Sequence, residues 1–427
     1  MAISKIILNG VTQMDVTDTT AVAEDVTSGK YFYNSIGVKT SGNIALKSAN
    51  DVTVSGATVT VPSGYYSSAV SKSVQGSDDQ WITRNIAYNQ ENSTVTRIGS
   101  YAYAGTNIGT ASFPNVTTIE ALAFSGCSSL TTISFPQVQY IHGSAFAGCK
   151  RLTTASFPEV KTIDYSVFGG CSKLSSISFP KATWLGNGAF GYCSSLTTVT
   201  FPEVLSTAQY VFPGCTKLSE VYFPKLSAIQ STMFYGCSSL TTIRSTFFPS
   251  VTTIESYAFS SLSTLISVDF PIVESIGTGA FSSCAKLNTI NFPEAKTIGM
   301  YAFARCSSLP SAVFSKVTTI SSYAFYDCIN LNTVNFPSAT TIGSFTFSGC
   351  TNLNMVSFPN VSTIGDYAFR GCTNLLSAYF LTSSVPYMTV YAVLSAQITS
   401  IYVKSSMLSS FQTAPVWSSF SSRMVGV

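Results

Sequence analysis

Cys127-Ser-Ser-Leu130-Thr-Thr-Ile133-Ser-Phe135-Pro136-Gln-Val138-Gln-Tyr-Ile141-His-Gly-Ser-Ala145-Phe146-Ala-Gly148 is one copy of a pattern that fills the middle of the chain. Ile133 and Phe135 alternate with Thr132 and Ser134, the period-2 signature of a half-buried strand. Pro136 has no N–H to give to a ladder and ends that strand. A second short extended piece, 138–141, follows. Ala145-Phe146 with Gly148 then predicts one helical or 3-10 turn closed by glycine. A unit of 22 residues cannot enclose its own Leu, Ile, Phe, Val, Ala and Cys, so it must stack on copies of itself.

The copies are present. Cys127, Cys149, Cys171, Cys193, Cys215 and Cys237 stand 22 residues apart, and Cys284, Cys306, Cys328, Cys350 and Cys372 keep the step. One rung without cysteine fills the gap between the two runs. It has Leu262 at the cysteine position and three extra residues at Ser245-Thr246-Phe247. Phe248-Pro249 resumes the pattern at once, so the insertion is expected to bulge from the strand face and leave the stack intact. Prolines hold their own column from Pro114 to Pro359, broken by Ser315, and an imperfect rung with Thr106 at the cysteine position comes first. Internal periods of this length signal repeat architectures. The pattern predicts a solenoid of parallel β rungs over 93–380, a small β-rich region over 1–92 and a C-terminal cap over 381–427.

The unit Leu-x-x-Ile-x-Phe-Pro-x-Val-x-x-Ile-Gly-x-x-Ala-Phe-x-x-Cys resembles the BspA-type leucine-rich repeat. It is clearest in Ile298-Gly299-Met300-Tyr301-Ala302-Phe303-Ala304-Arg305-Cys306 and extends over roughly residues 95–380. The resemblance implies a right-handed, horseshoe-like leucine-rich-repeat solenoid and a surface adhesin or ligand binder. It implies no catalytic residue.

Composition also points away from an enzyme. Charged residues make up 10% of the 427, against about 25% in ordinary globular chains. A formal charge of +3 is too small for a nucleic-acid or acidic-membrane footprint. His142 is the single histidine, and no nucleophile–histidine pairing or phosphate-cradling glycine loop occurs. No catalytic residue, cofactor or metal site is therefore expected. The cysteines lack the Cys-x2-Cys pairs of zinc sites. Parallel side chains one rung apart should also stay near ~4.8 Å, beyond the ~3.8 Å Cβ separation of a disulfide. Leu262 within their column marks the slot as apolar, and a ladder of free, packed thiols is expected.

Binding is expected on the outward strand positions seven past the cysteine. Ser134, Ser156, Ser178 and Thr200 are uniform there, whereas Tyr222, Arg244, Asp269, Asn291 and Asn335 are varied and surround the insertion. An aromatic body, a forked donor, an acceptor and amides suit a glycan or peptide. A second candidate row, seventeen past the cysteine, holds Tyr257, Tyr301, Tyr323 and Tyr367, with Tyr210 and Phe345 in the same column. Stacking between rungs explains that row without a ligand. Adjacent pairs such as Thr117-Thr118 point to opposite faces of a strand and form no ice-binding lattice.

Toward the N-terminus, 5–8, 52–54 and 58–61 are short β-prone runs. Residues 23–34 with 37–42, and 59–66, resemble small β modules of tail proteins from phages and prophages of Gram-positive bacteria. The sequence opens without the apolar run of ~7–15 residues of a secretory signal, and no window approaches the ~18 apolar residues of a spanning helix. These features favour a virion tail-associated protein assembled in the host cytoplasm. Its N-terminal region would contact other tail proteins and its solenoid a bacterial surface glycan or protein receptor, with homo-oligomers allowed. The alternative is a bacterial cell-surface adhesin. Neither nucleic-acid binding nor membrane insertion is expected. Past Phe380, a strand over 398–403, a short helix over 405–412 and an apolar strand at Met424-Val425 should cover the open end of the stack.

Overall fold

The computed structural model describes residues 95–389, 391 and 397–427. Before them it describes the strands Val26–Tyr33, Lys39–Ile44, Thr53–Ser55, Thr58–Thr60, Val74–Gln75 and Gln80–Ile82. The expected run at 5–8, and 62–66 of the second N-terminal segment, lie outside the described residues. Val26–Tyr33 pairs antiparallel with Lys39–Ile44, and Thr53–Ser55 with Thr58–Thr60. Gln80–Ile82 pairs antiparallel with Val74–Gln75 and parallel with Arg97–Ile98, so this sheet of the solenoid begins ahead of its first repeat rung.

Each rung lays down two strands and a turn. The first strand, Thr132–Ser134, pairs parallel with Thr110–Ser112 and exposes Thr132 and Ser134 while Ile133 turns inward. The second, Tyr140–Ile141, lies between Thr118–Ile119 and Thr162–Ile163, in register one repeat apart. The expected helical turn is instead a succession of tight turns. The Ala147 N–H donates to the Ser144 carbonyl and the Cys149 N–H to the Phe146 carbonyl. Ser144 at φ 59 and Gly148 at φ 73 are left-handed, which stops the turns from winding into a helix. The N–H groups left over find partners one rung on. Ser144, Phe146 and Gly148 donate to the carbonyls of Tyr165, Val167 and Gly169 at 2.8, 2.9 and 2.7 Å. Backbone bonds therefore join neighbouring rungs on the strand sides and on the turn side, and the buried amides are satisfied.

Two phenylalanine columns fill the interior. Phe124, Phe146, Phe168 and Phe190 stack at 5.1, 5.4 and 5.5 Å between centroids. Phe113, Phe135, Phe157 and Phe179 stack at 5.6, 5.8 and 5.5 Å. Phe124 meets Phe135 edge-on at 5.8 Å and 62°, so each ring has offset neighbours within its column and edge neighbours across it. A constant 22-residue step places like on like, which is why one choice of residue satisfies every rung.

The first strands pair in short separate ladders, and two further irregularities mark the stack. The second-strand ladder is interrupted between Ser206–Thr207 and Ala228–Ile229. Buried Thr207 replaces the aliphatic residue that Ile119, Ile141, Ile163 and Leu185 supply, and its hydroxyl lies 3.9 Å from Met233 Sδ. Met233 itself stands where Ala123, Ala145 and Ala189 stand in earlier rungs. The second irregularity is the insertion, Ser245–Phe247, which forms a 3-10 turn. Thr246 is exposed, but Phe247 packs half-buried against the core. The Phe247 carbonyl also accepts the Phe223 N–H at 2.9 Å, as the Tyr222 carbonyl accepts that of Phe201 one rung before. The insertion bulges, as expected, without breaking the chain of rung contacts.

The cap follows the expected order. Ser400–Val403 pairs parallel with Ser377–Phe380, a 3-10 turn and the helix Leu408–Thr413 follow, and Met424–Gly426 pairs parallel with Ser400–Val403. Buried Trp417 meets Phe380 and Phe411 edge-on at 5.1 and 5.0 Å and donates its indole N–H to the Pro386 carbonyl at 2.8 Å.

Candidate functional site

The first-strand face brings together four of the five residues singled out from the sequence. Tyr222 is exposed at the end of Glu220–Tyr222. Asp269 and Asn291 sit opposite each other on paired strands, and Asn291 Nδ2 donates to Asp269 Oδ1 at 2.7 Å. Asn335 pairs with Val313, which is 56% exposed and interrupts the polar row. Arg244 is the fifth. It lies just past the strand Thr242–Ile243, displaced by the insertion, with its guanidinium carbon 6.0 Å from the Phe247 ring centroid. The face extends one rung past Tyr379, the last position of the column in the sequence. Tyr379 and Tyr402 occupy the same column on paired strands and stack at 4.4 Å, with Met355 and Leu376 exposed beside them. Tyr402 falls in the segment read as cap. The apolar pair Ile401 and Val403 around it was the signal that it faces outward.

The tyrosine row takes a different form. Tyr301, Tyr323, Phe345 and Tyr367 are left-handed, at φ 58, 61, 57 and 57. Their rings stack at 4.6, 4.8 and 4.8 Å, and Tyr391 extends the column at 5.7 Å. A bulky residue in the left-handed region costs roughly 1–2 kcal/mol, which two ring neighbours offset. These four side chains are half-buried by one another, so the row is a spine that satisfies itself. Tyr257 is not in the stack; its ring covers the place a side chain on Gly279 would fill. Tyr210 meets Tyr235 edge-on at 6.5 Å.

The eleven cysteines are free and buried. Each thiol donates to a backbone carbonyl one rung earlier: Cys149 to Phe124 at 3.1 Å, Cys237 to Phe212 at 3.2 Å, and Cys372 to Phe347 at 3.1 Å. Burial pushes Cys215, Cys284, Cys328 and Cys372 up to about 12, far from a reactive thiolate. Leu262 fills the slot but donates nothing. His142 is exposed on the bend after a second strand. Among the described residues no group of three or more His, Cys, Asp or Glu is placed to hold a metal ion, and no helix is long and apolar enough to cross a membrane.

A family model for the BspA type leucine rich repeat region matches residues 96–209, 183–310 and 296–414. Several solved structures are similar to this chain. A leucine-rich repeat protein from Bacteroides ovatus aligns at 23% identity over 83% of this chain and 89% of its own, with a TM-score of 0.51. A leucine rich cell surface protein from Faecalibacterium prausnitzii aligns at 23% identity over 66% and 91%, TM-score 0.38. The pneumococcal vaccine antigen PcpA aligns at 18% over 93% and 95%, TM-score 0.45. No curated protein shows a significant match.

Proposed function

The chain belongs to the BspA type leucine rich repeat family, and from that premise we propose that it is a non-enzymatic cell-surface adhesin that recognises a glycan or protein with its first-strand face. One observation carries the reading. Along a single outward column, four hydroxyl-bearing rungs, Ser134 to Thr200, give way to Tyr222, Asp269, Asn291, Val313 and Asn335 and, after Ser357, to Tyr379 and Tyr402. Packing does not ask for that change, because the rungs of Tyr222, Asn291, Asn335 and Tyr379 keep the buried Cys, Leu and Phe of the earlier rungs. Contact residues that vary on a constant scaffold are the usual form of a recognition surface.

The test replaces Tyr222, Arg244, Asp269, Asn291 and Asn335 together by Ser, the residue earlier rungs carry. A second variant replaces Tyr257, Tyr301, Tyr323 and Tyr367 by Gly or Ser, as other rungs of that column do. Both are first shown to be folded at the assay temperature by circular dichroism, and are then assayed for binding to intact bacterial and epithelial cells and to an immobilised glycan array. Loss with the strand-face set and retention with the tyrosine set supports the assignment; the reverse overturns it.

A second reading, a phage or prophage tail-associated protein, is supported by the resemblance of the N-terminal segments 23–34 and 37–42, whose described residues 26–33 and 39–42 belong to the antiparallel pair Val26–Tyr33 and Lys39–Ile44. In that reading the same face meets a bacterial surface receptor and the N-terminal region meets tail proteins. Fractionation separates the two: antibody to the chain labels tail tips of purified particles in one case and the bacterial envelope in the other.

A further inference from the structure

A third surface stands apart from both rows. Between the turn side and the first strand, the positions one and two past the cysteine hold Lys150, Arg151, Lys173 and Lys217, all exposed, with Lys286 in the same column three rungs further on. None has an ion-pair partner among the described residues. Lys181, Lys225, Lys296 and Lys316, in contrast, each contact a glutamate of the preceding rung, at 2.7, 2.6, 2.8 and 2.5 Å. The carboxylates of 121–219 are Glu159, Asp164 and Glu203. Glu159 and Glu203 are held by Lys181 and Lys225 in the bend after the first strand, and Asp164 accepts the Tyr165 N–H beyond the second strand. The edge that carries the four cations therefore holds no acid until Glu220.

An aromatic residue completes the edge. Tyr192, at φ 59 and 67% exposed, lies in sequence between Lys173 and Lys217. Its ring covers Gly214 of the next rung, where a side-chain carbon would come within 2.7 Å of it. Arg151, Lys173 and Lys217 share one column and so follow the rung step of ~4.8 Å, with a single-rung gap at Ser195. Unpaired cations in one column, with an exposed aromatic ring on the rung between Lys173 and Lys217, match a linear chain of regularly spaced negative charges.

We propose that this edge binds a linear polyanion, an extended polymer bearing sulfate or phosphate ester groups, independently of the first-strand face. Lys and Arg supply the charge, and the Tyr192 ring supplies apolar contact for the polymer backbone between charged groups. The attraction is between exposed charges, so it weakens as salt is added.

The experiment uses the full chain. Binding to a heparin oligosaccharide, to poly(glycerol phosphate) and to inorganic polyphosphate is measured by calorimetry or fluorescence anisotropy at low and at physiological salt. The variant carries Lys150→Ser, Arg151→Ser, Lys173→Ser and Lys217→Ser, because Ser128, Ser129 and Ser195 occupy the same positions elsewhere and the fold accepts them. Lys181→Ser with Lys225→Ser is the control of equal chemistry on the paired cations. The expected result is salt-sensitive binding by the parent and the control, weakened at least about tenfold in the fourfold variant and less in Tyr192→Ala. Binding to heparin alone identifies a sulfated glycan as the source, and binding to either phosphate polymer a phosphate-ester polymer. Equal affinity of parent and fourfold variant, no binding to any of the three at low salt, or tighter binding to duplex DNA than to all of them overturns the proposal.

Discussion

Each buried thiol fills a small apolar slot and also donates to a carbonyl of the preceding rung, that of a phenylalanine in every case but Cys127, which donates to Tyr103, so removing one takes away both packing and a partner. Cys237→Ala should destabilise by about 1–2 kcal/mol, from a small cavity and the lost bond to Phe212, measured by urea unfolding. A neutral result would mean that the slot is loosely filled. The same thiols set a pH response. The native pKa of Cys215, Cys284, Cys328 and Cys372 lies above the unfolded value, at about 12 against 9.0. Below 9 both states hold the proton and the stabilisation is complete. Above it the unfolded chain releases protons that the native chain keeps, so stability falls as pH rises toward 12. Each thiol contributes up to ~1.4 kcal/mol per pH unit in that window. The urea midpoint should therefore hold from pH 7 to 8.5 and drop steeply by pH 10; a flat profile would contradict the burial of the ladder.

At the level of the element, the insertion is the clearest test of how a rung tolerates change. Deleting Ser245–Phe247 joins Arg244 to Phe248 and lets the Arg244 carbonyl take over the Phe223 N–H. The variant should fold, with a melting temperature within a few degrees of the parent. Aggregation instead would show that half-buried Phe247 is needed to close the core there. The stacked aromatic column gives an opposite case. Tyr323→Gly relieves the left-handed strain but removes two ring contacts of about 0.5–1.5 kcal/mol each, so a net loss is expected on thermal unfolding. These elements also separate what was legible in the sequence from what was not. The strands, the prolines and the cysteine and phenylalanine columns were readable because each repeats one residue type at one step. The turn was not. An aromatic residue at positive φ runs against local preference, and bonds to the next rung hold it there even without ring neighbours, as at Tyr257, whose N–H donates to the Thr278 carbonyl at 2.8 Å. The outward role of Tyr402 was hidden because its rung has lost the cysteine that marks the others. The displacement of Arg244 was hidden because a three-residue insertion can be aligned to either of its neighbours.

For the whole molecule, the interrupted ladder at Thr207 matters most. Rungs of a solenoid touch only their neighbours, so cooperativity passes from one to the next. At this junction the phenylalanine columns continue but the second-strand bonds do not. Amides of 205–230 should exchange faster than those of the rungs on either side in native-state hydrogen exchange, and the two halves should show separate opening free energies. Uniform protection through the junction would argue that the pairing of Thr198–Thr200 with Glu220–Tyr222, the turn-side bonds and the ring stacking suffice to make the stack one unit. Thr207→Ile should then close the gap and raise protection there. The bonds that join rungs have a further consequence, in mechanics. They lie along the long axis, so a pull on the two ends loads them in tension, a rung at a time. A freed rung of 22 residues, at ~3.4 Å each, pays out about 70 Å of chain once its own rise is subtracted. Under such a load the protein would lengthen in equal steps while the rungs still in place kept their faces intact, beginning where the ladder is already open: a tether that gives before its grip does.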